Sequence, residues 1–201
     1  MGLTLNSNSL ALASASAGAS AAAGLSTADV TTSIKSNTPY QFIAKINAVG
    51  STVSAPNVFS ASDGFSTYRI IMDSVLTGNT NSNQLAMRFA VGGAIISTSV
   101  YGWAVSRPVQ YNQETTDSRW KLIPSNDISG GYNSFIDFTN TASGLRAQAS
   151  WHCSGAGSGK RGIFCTGSGS TDNTDEVTGF EIFAAVAFTA GTIRIYGVNN
   201  A

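Results

Sequence analysis

Charge is what this chain has least of. Only 11% of its 201 residues are Asp, Glu, Lys or Arg, eleven acidic against eleven basic, so the formal net charge is zero. An ordinary soluble domain carries about a quarter. The cations are scattered singly, leaving no basic stripe to neutralise a phosphate backbone, which argues against nucleic acid as a partner. Histidine is scarcer still: His152 is the sole imidazole, which removes any multi-histidine zinc site and the commonest general acid–base group from all but one position. Two cysteines, Cys153 and Cys165, are too few for the disulfide framework of a small secreted domain. Reduced thiols made in a reducing cytoplasm are expected, although the Gly-rich stretch between them leaves a bridge geometrically open. No apolar run reaches the ~18 residues that cross a bilayer. Lys and Arg are missing before Lys35, so the N-terminus lacks the basic start of a secretory signal. No membrane insertion is expected.

The polar positions are filled by Ser, Thr, Asn and Gly instead of ions, and the apolar ones are organised in two regimes. Residues 1–38 read as a docking segment, with a disordered leader as the alternative for residues 1–24. Leu3 and Leu5, then Leu10 and Leu12, alternate with polar residues before the chain dissolves into Ala, Ser and Gly up to Gly24. Such small side chains bury too little area to offset their own ordering entropy, so a partner surface has to supply the rest. A short helix follows at about 26–36: Ser26 is placed as N-cap with Asp29 in the capping-box position, and Leu25 faces Val30 as a hydrophobic staple. Val30 and Ile34 then share a face, and Asn37 with Pro39 ends the element. Leu3, Leu5, Leu10, Leu12, Leu25, Val30 and Ile34 are the expected anchor residues.

From Tyr40 the period becomes two. Runs at 41–48, 67–76, 84–91, 94–105, 119–123, 134–139, 146–152, 162–166, 180–188 and 192–198 read as strands. Turn signals fall at 62–64, 77–79, 129–131, 154–159 and 167–175. Short strands at this spacing, without long amphipathic helices between them, predict an all-β fold over residues 39–201, an antiparallel, jelly-roll-like sandwich. Its core is expected to draw on Ile70, Met72, Phe89, Ile95, Phe135, Phe138, Ile182, Val186, Ile193 and Ile195.

Groups that could do chemistry are sparse. His152 and Cys153 are adjacent, and neighbours on a strand point to opposite faces, so they do not converge on one ion. Asp172, Asp175 and Glu176 lack EF-hand spacing and read as a solvated loop. Gly155, Gly157 and Gly159 before Lys160-Arg161 lack the phosphate-loop pattern and read as a hairpin connection. No catalytic residue, metal ligand or cofactor site is predicted. Aromatic residues among Asn, Gln and Asp are the better candidates, because rings stack on sugars while neutral side chains hydrogen-bond them. Trp103, Tyr111, Gln113, Trp120 and Tyr132 are the candidate surface-binding residues, with 107–119 as an exposed contact loop; core packing is the competing use of the tryptophans.

Leu3-Thr4-Leu5-Asn6 with its Ala/Ser/Gly continuation, Ala28-Asp29-Val30, and the run from Ile34 through Gln41-Phe42-Ile43 resemble the leader of bacteriophage tail-fibre and other small virion structural proteins. Tyr68-Arg69-Ile70-Ile71-Met72 and the segment from Ala190 to Val198 look like an early and the closing strand of the β-sandwich in that group. The resemblance covers both ends and an early strand, and the middle third is unmatched. It implies a virion protein made in the host cytoplasm, anchored to other virion proteins by its N-terminus, trimeric, and presenting a sandwich to host-surface glycan. A capsid decoration or head-fibre protein without receptor binding is the alternative, and a polysaccharide-degrading enzyme a further one.

Overall fold

The computed structural model describes residues 39–77, 84–107, 110–123, 128–139, 141–157 and 162–198. The seven anchor residues, Leu3, Leu5, Leu10, Leu12, Leu25, Val30 and Ile34, and the expected helix lie outside them. Twelve strands follow in order: β1 (Tyr40–Asn47), β2 (Gly50–Ala55), β3 (Thr67–Thr77), β4 (Leu85–Val91), β5 (Ala94–Ile95), β6 (Tyr101–Arg107), β7 (Gln110–Asp117), β8 (Trp120–Ile123), β9 (Ile128–Thr139), β10 (Gln148–Gly157), β11 (Gly162–Thr171) and β12 (Val177–Val198). One 3-10 turn, Ala61–Asp63, sits at the predicted Ser62-Asp63-Gly64 punctuation. Every pairing is antiparallel, and the all-β, sandwich-like expectation holds.

The sheet is continuous but curls over itself, and β12 is the strand both layers share. Its first part lies between β4 and β2, with Ile182 opposite Met87 and Val53. Its last part lies between β3 and β1, with Ile195 opposite Ile70 and Ala44. The handover falls near Gly191, whose φ of 115° only glycine adopts readily, and a Cβ there would collide with the Val75 backbone. The larger layer runs β1–β12–β3–β9–β10–β11–β6–β7, and β8 then returns to pair with β4 in the smaller one.

The core between the layers is aromatic. Phe59 stacks on Tyr68 at 4.2 Å and reaches Phe138 and Phe180 at 5.5 and 5.8 Å. Trp120 packs on Phe138 and Tyr101 at 5.4 and 5.5 Å. Three of the buried polar tips find carbonyls: Trp120 Nε1 donates to Ser170 O, Trp151 Nε1 to Leu122 O, and Tyr101 OH to Ile96 O. Two glycines of β11 make room for the indoles. A Cβ at Gly167 would lie 2.6 Å from the Trp151 ring, and one at Gly169 would lie 2.6 Å from Trp120.

Several sequence expectations are corrected by this arrangement. Residues 129–131 are inside β9, and 167–171 inside β11, because glycine there serves packing and strand continuity instead of a turn. The expected 94–105 strand is two strands, and the expected 180–188 and 192–198 strands are one. The anticipated contact loop 107–119 contains β7, and β2 was not anticipated. Phe135 is 40% exposed and Ile95 and Val186 are only partly buried, so these three leave the predicted core. Phe135 and Phe138 differ by an odd number of residues, and a regular strand cannot turn both inward; Ser134, Ile136 and Phe138 take the inner face.

Candidate functional site

The outward face of the larger layer is assembled from side chains far apart in sequence. One transverse row in continuous register reads Lys45, Arg194, Ile71, Phe135, His152, Thr166, Ser106 and Tyr111, one residue from each of the eight strands. Beside it run Phe42, Tyr196, Arg69, Asp137, Ser150, Ser168, Ala104 and Gln113. Period-two geometry brings these residues to one face, and pairing order brings them into contact.

Their rings form a column. Phe42 meets Tyr196 edge-on at 5.7 Å, and Tyr196 meets Tyr40 at 6.5 Å. The Arg69 guanidinium lies 5.2 Å from the Tyr40 ring and 5.3 Å from that of Phe135. Phe135 then faces His152 at 4.6 Å, and His152 faces Phe164 at 6.2 Å. Arg69 is the hinge of this chain: it grips Asp137 with two hydrogen bonds of 2.6 Å and donates a third, of 2.7 Å, to Tyr40 OH. The Asp137 hydrogen bonds hold its guanidinium above the usual arginine value despite partial burial. Phe42, Phe164, Tyr40 and Phe135 nevertheless keep two-fifths or more of their surface in water.

A shallow hollow of about 450 Å³ opens beside the column, lined by Arg69, Asp73, Asn133, Phe135, His152, Phe164 and Arg194 among others. Its polar side is set by a β-bulge. The β3–β9 register shifts between Met72 and Val75, and Ser74 takes a φ of 51°, the positive-φ residue other than glycine among the described residues. The Ser74 N–H donates to Asn133 Oδ1 at 2.9 Å and its hydroxyl to Asp73 Oδ1 at 3.2 Å. Arg194 donates to the other Asp73 oxygen at 3.1 Å.

Two of the five sequence-predicted binding residues share this face. Tyr111 is 60% exposed on β7, where its hydroxyl donates to the exposed Gln113 at 3.0 Å, but β6 separates them from β11, the strand at the near side of the hollow. The other three are core. Trp120 and Tyr132 are fully buried, and burial pushes the Tyr132 phenol up to about 12. Trp103 is 7% exposed and donates to Asp117, which also pairs with Lys121. Burial alone would raise the Asp117 carboxyl, yet hydrogen bonds from Trp103, Lys121 and the Ser118 N–H outweigh it and hold it below the usual aspartate value. Large rings are the residues a core absorbs first, and that competition decided against the tryptophans.

Phe42, Tyr40, Arg69, Phe135, Phe164 and Tyr196 were not singled out as binding residues, since only cross-strand pairing unites them. His152 and Cys153 do point to opposite faces, the imidazole exposed and the thiol buried. Cys153 and Cys165 are directly opposite, unbonded and buried, with the Cys153 thiol pushed up to about 12 by desolvation. Among the described residues no three His, Cys, Asp or Glu side chains gather as metal ligands, and no helix is long and apolar enough to cross a membrane.

No protein-family model and no curated protein matches the chain. The CBM2 module of the evolved Dit of Lactobacillus casei BL23 phage J-1 is similar over 75% of this chain and 69% of that one, at 12% identity and a TM-score of 0.27, a likeness too slight to say what this chain binds.

Proposed function

We propose that the chain is a non-enzymatic bacteriophage virion protein of the tail-fibre or adhesin kind, anchored by residues 1–38 and binding host-surface glycan with the outer face of its larger layer. The observation that carries the binding role is the exposed aromatic column from Phe42 to Phe164 beside a hollow of mixed polarity. Virion placement is supported by the leader and the strand segments that resemble such proteins. Association is the mechanism: His152 is packed between two phenylalanines, and Asp73, Asp117, Asp137, Asp172 and Glu181 are each tied to a cation. Other virion proteins are the partners of the leader, and a homotrimer is the assembly of the whole chain.

The test compares the full chain with one starting at Thr38 in pull-downs with virus particles and with host cells. Loss of particle binding with cell binding intact supports anchor and adhesin together. Absence of cell binding by both turns the reading to a capsid decoration protein, and release of reducing ends from host polysaccharide to an enzyme. Light scattering of the full chain is expected at three times the 20.7 kDa protomer mass; a monomer removes the trimer.

A further inference from the structure

The hollow between β3, β9, β10, β11 and β12 has the chemistry of a particular ligand class. Its charges cancel internally. Arg69 is committed to Asp137 and Arg194 to Asp73, so neither a free cation for an acidic ligand nor a free anion for a basic one is presented by these pairs. What remains is neutral and mixed in polarity. Asn133 spends its carbonyl oxygen on Ser74, which leaves its amide nitrogen to donate, and Ser154 donates its hydroxyl proton to Asn133 O at 3.3 Å, which leaves its lone pairs to accept. Asn133, Ser154 and Phe164 are consecutive across β9, β10 and β11, so these groups lie in one line.

Phe164 ends the column. Phe135 has Arg69 and His152 as ring neighbours, whereas Phe164 has His152, and it is 51% exposed. A ring at the end of a stack can take one more flat, apolar face, which the C–H face of a pyranose provides. A peptide adding as a strand needs free backbone groups at a sheet edge, and the hollow lies mid-sheet, where the ladder uses them. Nucleic acid needs a cluster of unpaired positive charge, and both arginines that line the hollow are paired with aspartates. The strained Ser74 and its bulge, which aim Asp73 and Asn133 at the same place, are the kind of local cost that binding sites carry.

We infer that this hollow is a binding site for an uncharged saccharide, with Phe164 as the stacking ring and Asn133, Ser154 and the Asp73–Arg194 pair as hydroxyl partners. The inference rests on the glycan-binding reading above but moves its site away from Tyr111 and Gln113. The full chain is titrated with neutral hexose and N-acetylhexosamine oligosaccharides and with matched uronic-acid and sialic-acid oligosaccharides, alongside Phe164→Ala, Asn133→Ala and Tyr111→Ala. Thermal melting verifies folding of each variant. Binding of a neutral oligosaccharide, weakened about tenfold or more by Phe164→Ala and by Asn133→Ala but unchanged by Tyr111→Ala, is the expected result. Loss with Tyr111→Ala alone overturns this site while leaving glycan binding in place. Preference for the acidic oligosaccharides overturns the ligand class. Host-cell binding with no response to any neutral oligosaccharide overturns the inference and spares the adhesin reading. Conversion of an oligomer to a smaller species by Phe164→Ala, without a saccharide effect, assigns the face to contacts between copies and also overturns it.

Discussion

Gly169→Ala is predicted to destabilise the protein although glycine-to-alanine changes in strands usually do the reverse. The ordinary effect of removing a glycine, where φ is compatible, is a gain of about 0.4–1 kcal/mol through the unfolded chain. At Gly169 the new methyl would sit 2.6 Å from Trp120 Cδ1 and Nε1 and 3.0 Å from Gly102 O. Trp120 cannot give way cheaply: it is fully buried, held by Phe89, Tyr101 and Phe138, and hydrogen-bonded to Ser170 O at 3.1 Å. Overpacking of this kind costs about 1–3 kcal/mol, so the clash exceeds the entropic gain and a net loss of about 1–2 kcal/mol is expected. For a domain of this size that lowers the melting temperature by roughly 2–8 °C. Gly102→Ala, on the paired strand, is the control: its Cβ would approach nothing nearer than 3.6 Å, and it is expected to stabilise slightly. Urea unfolding of wild type, the two single variants and Gly169→Ala in a Trp120→Phe background reads the signs and the coupling. Gly169→Ala at or above wild-type stability would refute the placement of Trp120 over β11.

Two further predictions concern titratable groups. The Asp117 carboxyl is held below its ordinary value, so its contribution to stability is complete above about pH 4 and is lost as acidification carries the pH down through its folded-state pKa; the stability gap between wild type and Asp117→Asn, followed by urea unfolding from pH 7 downward, should narrow over that window, and a pH-independent gap would contradict the assignment. Cys153 and Cys165 are buried thiols raised by desolvation, so a thiol-specific chromogenic reagent at pH 8 should label neither in the folded chain and both in guanidinium, whereas rapid native labelling would show that the β10–β11 pair is open to solvent.

The fold was legible where the inner and outer faces differ in polarity. In β3 the inward Tyr68, Ile70 and Met72 alternate with Arg69 and Asp73, and that period is visible in any window. It failed in β11, where the inner face is Cys165, Gly167 and Gly169, and glycine reads as punctuation until the indoles that occupy its missing side chains are known. It failed also in β7, whose residues 111, 113, 114, 115 and 116 are all exposed because an edge strand has one sheet neighbour and little core to cover. The candidate site was legible only as a composition, rings among neutral polar residues. Its members sit on strands ordered β1, β12, β3, β9, β10 and β11, and no window of sequence contains that order.

Low charge and exposed rings, separate observations in the sequence, become one property on the folded surface. The formal net charge is zero, and among the described residues five ion pairs join five basic to five acidic side chains, so no large net field of one sign acts at a distance. Electrostatic steering is therefore weak, and recognition has to come from contact: ring faces, hydroxyl-sized hydrogen bonds and shape. Such a surface would bind an uncharged unit weakly and almost independently of salt, because a neutral ligand offers no charge–charge attraction for salt to screen. In the proposed virion assembly, repetition would supply the strength, since several copies on one particle would convert separate weak contacts into avidity without any new contact chemistry. The neutral hollow and a multivalent assembly thus support each other physically: the salt-independence of saccharide binding by the isolated chain, between 50 and 500 mM as a working span of roughly threefold in Debye length, is the behaviour that would link them, and a steep fall with salt would separate them.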